Sequence, residues 1–118
     1  MLDLALSDAG TTRYRVVLEN EGDDELADLL ADKQTLLGLS HADAHASQLC
    51  DACYSTHLLG HWVRERGALP LHEAVWKLTG QPRQAFWLLE RGLFQPGLAA
   101  DLVAFDPDTV GTTAVERG

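Results

Sequence analysis

Hydrophobic and polar positions alternate with two different periods along the first third of the chain. Tyr14-Arg15-Val16-Val17-Leu18 is a short run rich in β-formers and reads as a strand. Asp23 and Asp24 stand where a helix cap and first turn belong, and Leu26, Leu29 and Leu30 follow at helical spacing. Leu36-Leu37-Gly38-Leu39 is apolar without polar alternation, as expected of a strand buried on both faces in a parallel sheet. Residues 14–39 therefore predict strand, helix, strand, the unit of an α/β protein. Ahead of them, Asp3 to Ala9 reads as the end of a helix closed by Gly10.

After residue 40 the pattern becomes helical. A helix is predicted from His57 to Arg66, with Ser55 or Thr56 as its cap and Gly67 as its end. Leu58, Leu59, Trp62 and Val63 form its buried side. A second helix opens at Pro70, a good first-turn residue, carries the stripe Leu71, Ala74, Val75 and Leu78, and stops at Gly80. A third, shorter helix starts at Pro82 with Ala85, Phe86 and Leu89 on its apolar side. Gly92 and Pro96-Gly97 mark turns, Leu98 to Phe105 reads as one or two short strands, and the last dozen residues are expected to fray. Two parallel strands cannot bury both faces of a sheet, and the helices need a sheet to pack on. The pattern is that of the end of something larger.

Composition narrows the function classes. With 118 residues, 46% of them hydrophobic, the chain supports one core at most and is not a disordered tail. Its formal charge of −9 argues against nucleic acid and anionic membrane surfaces as partners. No apolar run approaches the roughly 20 residues of a membrane span. Met1-Leu2-Asp3-Leu4 lacks the basic start of a secretory signal, and the two cysteines do not make a disulfide framework, so a cytoplasmic protein is expected.

Candidate chemistry is concentrated in one stretch. Four of the five histidines lie between His41 and His61, with Asp43, Cys50, Asp51 and Cys53 among them. Cys50, Cys53, His57 and His61 have the residue types of a small zinc module. Their spacing does not suit a finger, because three residues between Cys53 and His57 leave no room for the intervening turn and helix. The segment Ser40-His41-Ala42-Asp43-Ala44-His45 follows the apolar run Leu36–Leu39 directly. In a (β/α)8 barrel, catalytic residues sit after the C-terminal ends of the strands; a polar loop with a helix cap is the alternative. There is neither a glycine-rich phosphate loop nor a Gly-x-Ser-x-Gly elbow.

These residues carry a family resemblance. Leu36-Leu37-Gly38-Leu39-Ser40, then Ala42 and His45, then Gln48-Leu49-Cys50-Asp51-Ala52, resemble the last barrel strand and following loop of N-acyl-D-amino-acid deacylases, in the amidohydrolase superfamily. The likeness continues through Thr56–Glu65 and Leu71–Thr79. It closes with Arg91-Gly92, Pro96-Gly97 and the run from Ala100 to Pro107, which resembles a general amidohydrolase signature. It spans roughly residues 14–110, and the combination is specific where single pieces are not.

The resemblance implies an α/β fold: the C-terminal fragment of a (β/α)8 barrel in residues 1–90, then return strands to a small β-domain in residues 91–118. It implies zinc or another divalent metal in the complete enzyme, which polarises an amide carbonyl and activates water. No tightly bound metal is expected on this chain alone. The implied substrate is an N-acyl amino acid or a related amide. The family pattern after the last strand is Ser-Asp-Ala-Gly-Ala-His, with the aspartate as general base. Here His41 stands in the aspartate's place and Asp43 in the glycine's. His41 and Asp43 are thus the candidate catalytic residues, and Ser40 and His45 the candidate substrate contacts. Arg83 replaces a usual alanine, and Trp87 a usual glycine at a helix end. No His-x-His occurs in the chain, although the family carries one after its first strand. Amide hydrolysis within a complete enzyme is therefore expected, with this chain inactive alone. The alternatives are a non-catalytic interaction module derived from such an enzyme, or the small Cys/His zinc module. Self-association or a missing barrel partner is expected in either of the first two cases.

Overall fold

A computed structural model of the chain describes residues 2–7, 22–38 and 52–112. Five α-helices are present among them: α1 (Leu2–Ser7), α2 (Asp23–Ala31), α3 (Tyr54–His57), α4 (Leu71–Leu78) and α5 (Gly80–Ala85). A π-helical stretch, Leu58–Glu65, continues α3 without a break. No strand is formed among the described residues, and no helix among them is long and apolar enough to cross a membrane.

The core lies where the π-helical stretch meets α4. Leu58, Leu59, Trp62, Leu69 and Ala74 are its buried apolar side chains. The stripe expected from the sequence, Leu58, Leu59 and Trp62, is the one that is buried, with Val63 at its margin. The helix starts earlier than expected: Cys53 is its N-cap, and the Thr56 hydroxyl donates to the Cys53 carbonyl at 3.1 Å instead of capping. Its end is wide. The Arg66 N–H donates to the His61 carbonyl, five residues back, and Ala68 to Trp62. Gly67 then turns the chain with φ 62°, a conformation that costs glycine little.

α2 begins after Gly22 and carries Asp23, Asp24 and Glu25 in its first turn, where negative charge suits the helix dipole. Arg66 reaches both Asp23 (3.5 Å) and Asp24 (3.6 Å). Leu26, Ala27 and Leu30 pack on the core, whereas Leu29, expected on the same stripe, is exposed. Beyond α2 the chain runs through Leu36–Gly38 without a ladder partner, so the parallel strand expected at Leu36–Leu39 is not formed in its described part, and Leu36 is exposed. A parallel strand needs hydrogen-bonding neighbours of its own kind, and the described residues offer none. The same holds for Leu98 to Phe105, which carries no strand. The strand expected at Tyr14–Leu18 lies outside the described residues, as does the Ala9-Gly10 end expected for α1.

α4 opens after Pro70 as expected. Its buried face is Ala74 and Lys77, not the expected Val75, which is exposed. Gly80 does not stop the helical path. The backbone breaks at Thr79 (φ −130°, ψ −77°), and α5 starts at Gly80, two residues before the expected Pro82. A Cβ on Gly80 would fall about 2.0 Å from the Trp76 ring, so only glycine lets that ring lie over the junction. Gly60 plays a similar part: a Cβ there would come within 2.8 Å of the Val110 carbonyl and the Gly111 backbone. The chain's return over the π-helical stretch is fastened by Arg64, which donates to the Pro107 and Val110 carbonyls.

Candidate functional site

The residues expected to carry chemistry, Ser40, His41, Asp43 and His45, lie outside the described residues, as does Cys50. What is described is the chain leading towards them. At the end of α2, Gln34 donates its N–H to the Asp32 carboxylate at 2.8 Å and closes a tight turn. Lys77 and Gln81 hold this turn from the other side. The Lys77 ammonium donates to the carbonyls of Asp32 (2.6 Å) and Thr35 (3.0 Å), and the Gln81 amide to those of Lys33 (2.8 Å) and Thr35 (3.1 Å). Both side chains are more than nine-tenths buried, at 4% and 8% exposure. A lysine is rarely buried so far without partners, and here carbonyl dipoles take the charge. The sequence reading missed both residues. Their signal was positional, since Ala74, Lys77 and Gln81 follow one another at helical spacing.

Between this turn and the α4–α5 face lies an open cleft of about 280 Å³, lined by Ala31, Lys33, Glu73, Trp76, Lys77 and Gln81. Among the described residues, the Gln81 carbonyl oxygen and the Arg83 Nε find no hydrogen-bond partner although both are buried.

A second cluster sits on the π-helical stretch. The rings of His57 and His61 stack, with centroids 4.9 Å apart and planes 12° from parallel. Trp62 meets both edge-on, at 6.5 and 5.0 Å. Glu65 accepts a hydrogen bond from His61 Nδ1 at 3.0 Å, and Arg64 is 3.4 Å from its other oxygen. The hydrogen bond from His61 first, and then Arg64, hold the Glu65 carboxyl below its ordinary range, although desolvation opposes them. The His61–Glu65 pair has an i,i+4 spacing that the sequence displays plainly.

The two departures noted in the third helix have structural counterparts. Trp87 takes φ 57°, the left-handed region that favours glycine. Arg83 crowds Gly92, whose Cβ, if present, would lie 2.8 Å from the Arg83 Cβ.

A D-aminoacylase of Alcaligenes xylosoxydans xylosoxydans is 36% identical over 124 aligned residues, covering 96% of this chain and 25% of its own length. The chain is a relative of the D-aminoacylases. Two further relatives from the same organism match about half of it. An N-acyl-D-glutamate deacylase is 47% identical over 47% of the chain (11% of its own length), and an N-acyl-D-aspartate deacylase 46% identical over 50% (12% of its own length). No family model matches, and no solved structure matches. The chain spans about a quarter of the length of the D-aminoacylase. The divalent metal implied by the amidohydrolase resemblance finds no set of residues here: among the described residues, no three His, Cys, Asp or Glu side chains gather to hold an ion. Cys53, His57 and His61 of the zinc-module alternative are included in that statement, and its fourth residue, Cys50, is not described.

Proposed function

We infer that this chain is the C-terminal part of an N-acyl-D-amino-acid deacylase-type amidohydrolase, and that it supplies one loop of an active site completed by other polypeptide. The observation that carries this reading is 36% identity over nearly the whole chain to a D-aminoacylase four times as long in coverage terms, 96% against 25%. In this reading residues 1–90 belong to a (β/α)8 barrel, residues 91–118 return to a small β-domain, and the substrate is an N-acyl amino acid or related amide. His41 accepts a proton from the water that attacks the amide carbonyl and returns it to the leaving amine. Asp43 offers a carboxylate two residues further along the chain, and Ser40 and His45 contact the substrate in this reading. The described residues offer no metal set, so no step of the reaction is assigned to a metal on this chain.

The test is turnover of an N-acetyl-D-amino acid by the chain alone and by a chimaera in which the preceding three quarters come from a D-aminoacylase. The chain alone should be inactive and the chimaera weakly active. A neutral imidazole lacks the charge and the placement of an aspartate, so His41→Asp should raise the chimaera's rate at least about tenfold. Turnover by the isolated chain would overturn this reading.

The exposed side chains of Trp87 (81%), Phe94 (82%) and Val103 (86%) favour a second reading, a non-catalytic interaction module. A folded chimaera that stays inactive with either His41 or aspartate at that position would select it.

A further inference from the structure

The chain after the third helix is tied down as far as Asp101. Ala99 donates its N–H to the Glu90 carbonyl at 2.8 Å, and Arg91 pairs with Asp101 at 3.0 Å. Among the described residues, no hydrogen bond involves residues 102–105, and Leu102 and Val103 are 70% and 86% exposed. Beyond this tether the chain folds on itself. The Asp106 carboxylate accepts the Asp108 N–H at 2.9 Å, and the Asp106 carbonyl accepts those of Thr109 (3.2 Å) and Val110 (2.9 Å). We propose that residues 106–111 are a strap that opens and closes over the π-helical stretch as one unit, with Arg64 as its latch and Gly60 as its seat.

The latch is a single side chain. Arg64 Nη1 donates to the carbonyls of Pro107, at 3.4 Å, and Val110. Its Nη2 lies 3.4 Å from Glu65 Oε1, which keeps the guanidinium turned this way. Among the described residues, no other hydrogen bond joins residues 106–111 to the helices. The seat is bare backbone. Gly60 is buried, and a Cβ there would fall 2.8 Å from both the Val110 carbonyl oxygen and the Gly111 Cα, backbone atoms that cannot swing aside. The half-buried Val110 side chain adds one apolar contact at the margin of the core. Segments held by few apolar contacts and by solvent-exposed hydrogen bonds open first. Here the turn carries its own hydrogen bonds, so opening breaks only the latch and the seat. The core of Leu58, Leu59, Trp62, Leu69 and Ala74 stays closed on itself. Nothing in this proposal depends on the deacylase reading.

Thiol labelling of Val110→Cys, in the full chain with Cys50→Ser and Cys53→Ser, reads the opening. Arg64→Met keeps the aliphatic stem and removes the donors, so it should speed labelling at least about tenfold, as expected when hydrogen bonds from a charged donor are lost. Arg64→Lys should fall between the two. Gly60→Ala should lift the strap from beneath while helix content holds or rises, because alanine favours a helix over glycine. Proton–nitrogen spectra of Arg64→Met in the otherwise native chain should show the signals of residues 106–111 shifting together while those of Leu69 and Ala74 hold. Labelling unchanged by Arg64→Met or by Gly60→Ala, labelling that rises only as far as the helices melt, or strap signals that move independently would overturn the proposal.

Discussion

Residues 54–85 and residues 86–112 have similarly apolar sequences and opposite fates. In the first region Leu58, Leu59, Trp62, Leu69 and Ala74 close around one another. In the second, Phe86, Trp87, Leu89, Phe94, Leu102 and Val103 are all at least 68% exposed. The difference is geometric. Helical periodicity in 54–85 gathers apolar side chains on faces that a neighbouring helix can cover. In 86–112 the apolar residues are spread over turns and extended chain, which bury side chains only when another layer is laid against them. Hydrophobic content alone therefore says little about where a core forms.

The comparison can be broken most directly by truncation. Trp62→Ala should lower the stability of the chain by about 3 kcal/mol or more, because a buried indole leaves both a transfer loss and a cavity. Phe94→Ser should change it by no more than about 0.5 kcal/mol. Urea titrations followed by circular dichroism measure both, and equal losses would show that 86–112 is packed after all. Phe94→Ser should also reduce the binding of an apolar dye, which Trp62→Ala should not.

A smaller effect sharpens the boundary between the helical core and the segment before it. Lys77→Met keeps the volume but abandons the carbonyls of Asp32 and Thr35. Hydrogen bonds from a charged donor are worth about 2 kcal/mol. The expected signature is a loss of that order together with faster proteolysis within residues 32–38, while the 54–85 helices keep their ellipticity. Unchanged proteolysis would show that the turn holds itself.

Trp87→Gly should act in the opposite direction. A tryptophan at φ 57° with 81% exposure has little burial to lose, and relief of the left-handed backbone should raise stability by about 1 kcal/mol. A decrease would mean that the exposed indole is held by contacts in solution.

The smallest expected effect concerns acid. The folded Glu65 carboxyl titrates below its ordinary value of 4.5, first because of the hydrogen bond from His61. A depressed carboxyl contributes stability that is present above the unfolded value and is lost as pH falls through the folded one. Melting curves of the parent and Glu65→Gln should thus differ above pH 4.5 and converge below it. Parallel curves across that window would remove the pair from the account.

Local signals made much of the helical layer legible. Gly67, Gly92 and Gly97 all adopt positive φ where turns were expected, Pro70 caps α4, and the Leu58–Leu59–Trp62 stripe is buried. What failed was the assignment of faces near element ends. Periodicity places Val75 inwards where Lys77 is, because it weighs a lysine as polar and cannot foresee the carbonyls waiting for it. Periodicity puts Phe86 and Leu89 on a helical stripe, but the helix ends at Ala85. The expected catalytic loop, Ser40 to His45, was legible as a motif alone, and the described residues bear only on the turn and extended chain that precede it.

By itself the sequence determined the positions of α2, α4 and the helix through Trp62, the turns at glycine, and the relationship to the D-aminoacylases. All of these depend on residues within a few positions of each other or on residue identity. Tertiary structure decided what becomes of Leu36–Gly38 and Leu98–Phe105, which form no strand, and what becomes of Lys77 and Gln81, which are buried. Strand pairing and the burial of a charge both depend on groups far away in sequence: Lys77 meets Asp32 across 45 positions. No local pattern encodes such a partner, because a hydrogen bond to a backbone carbonyl leaves no mark on the residue that carries it.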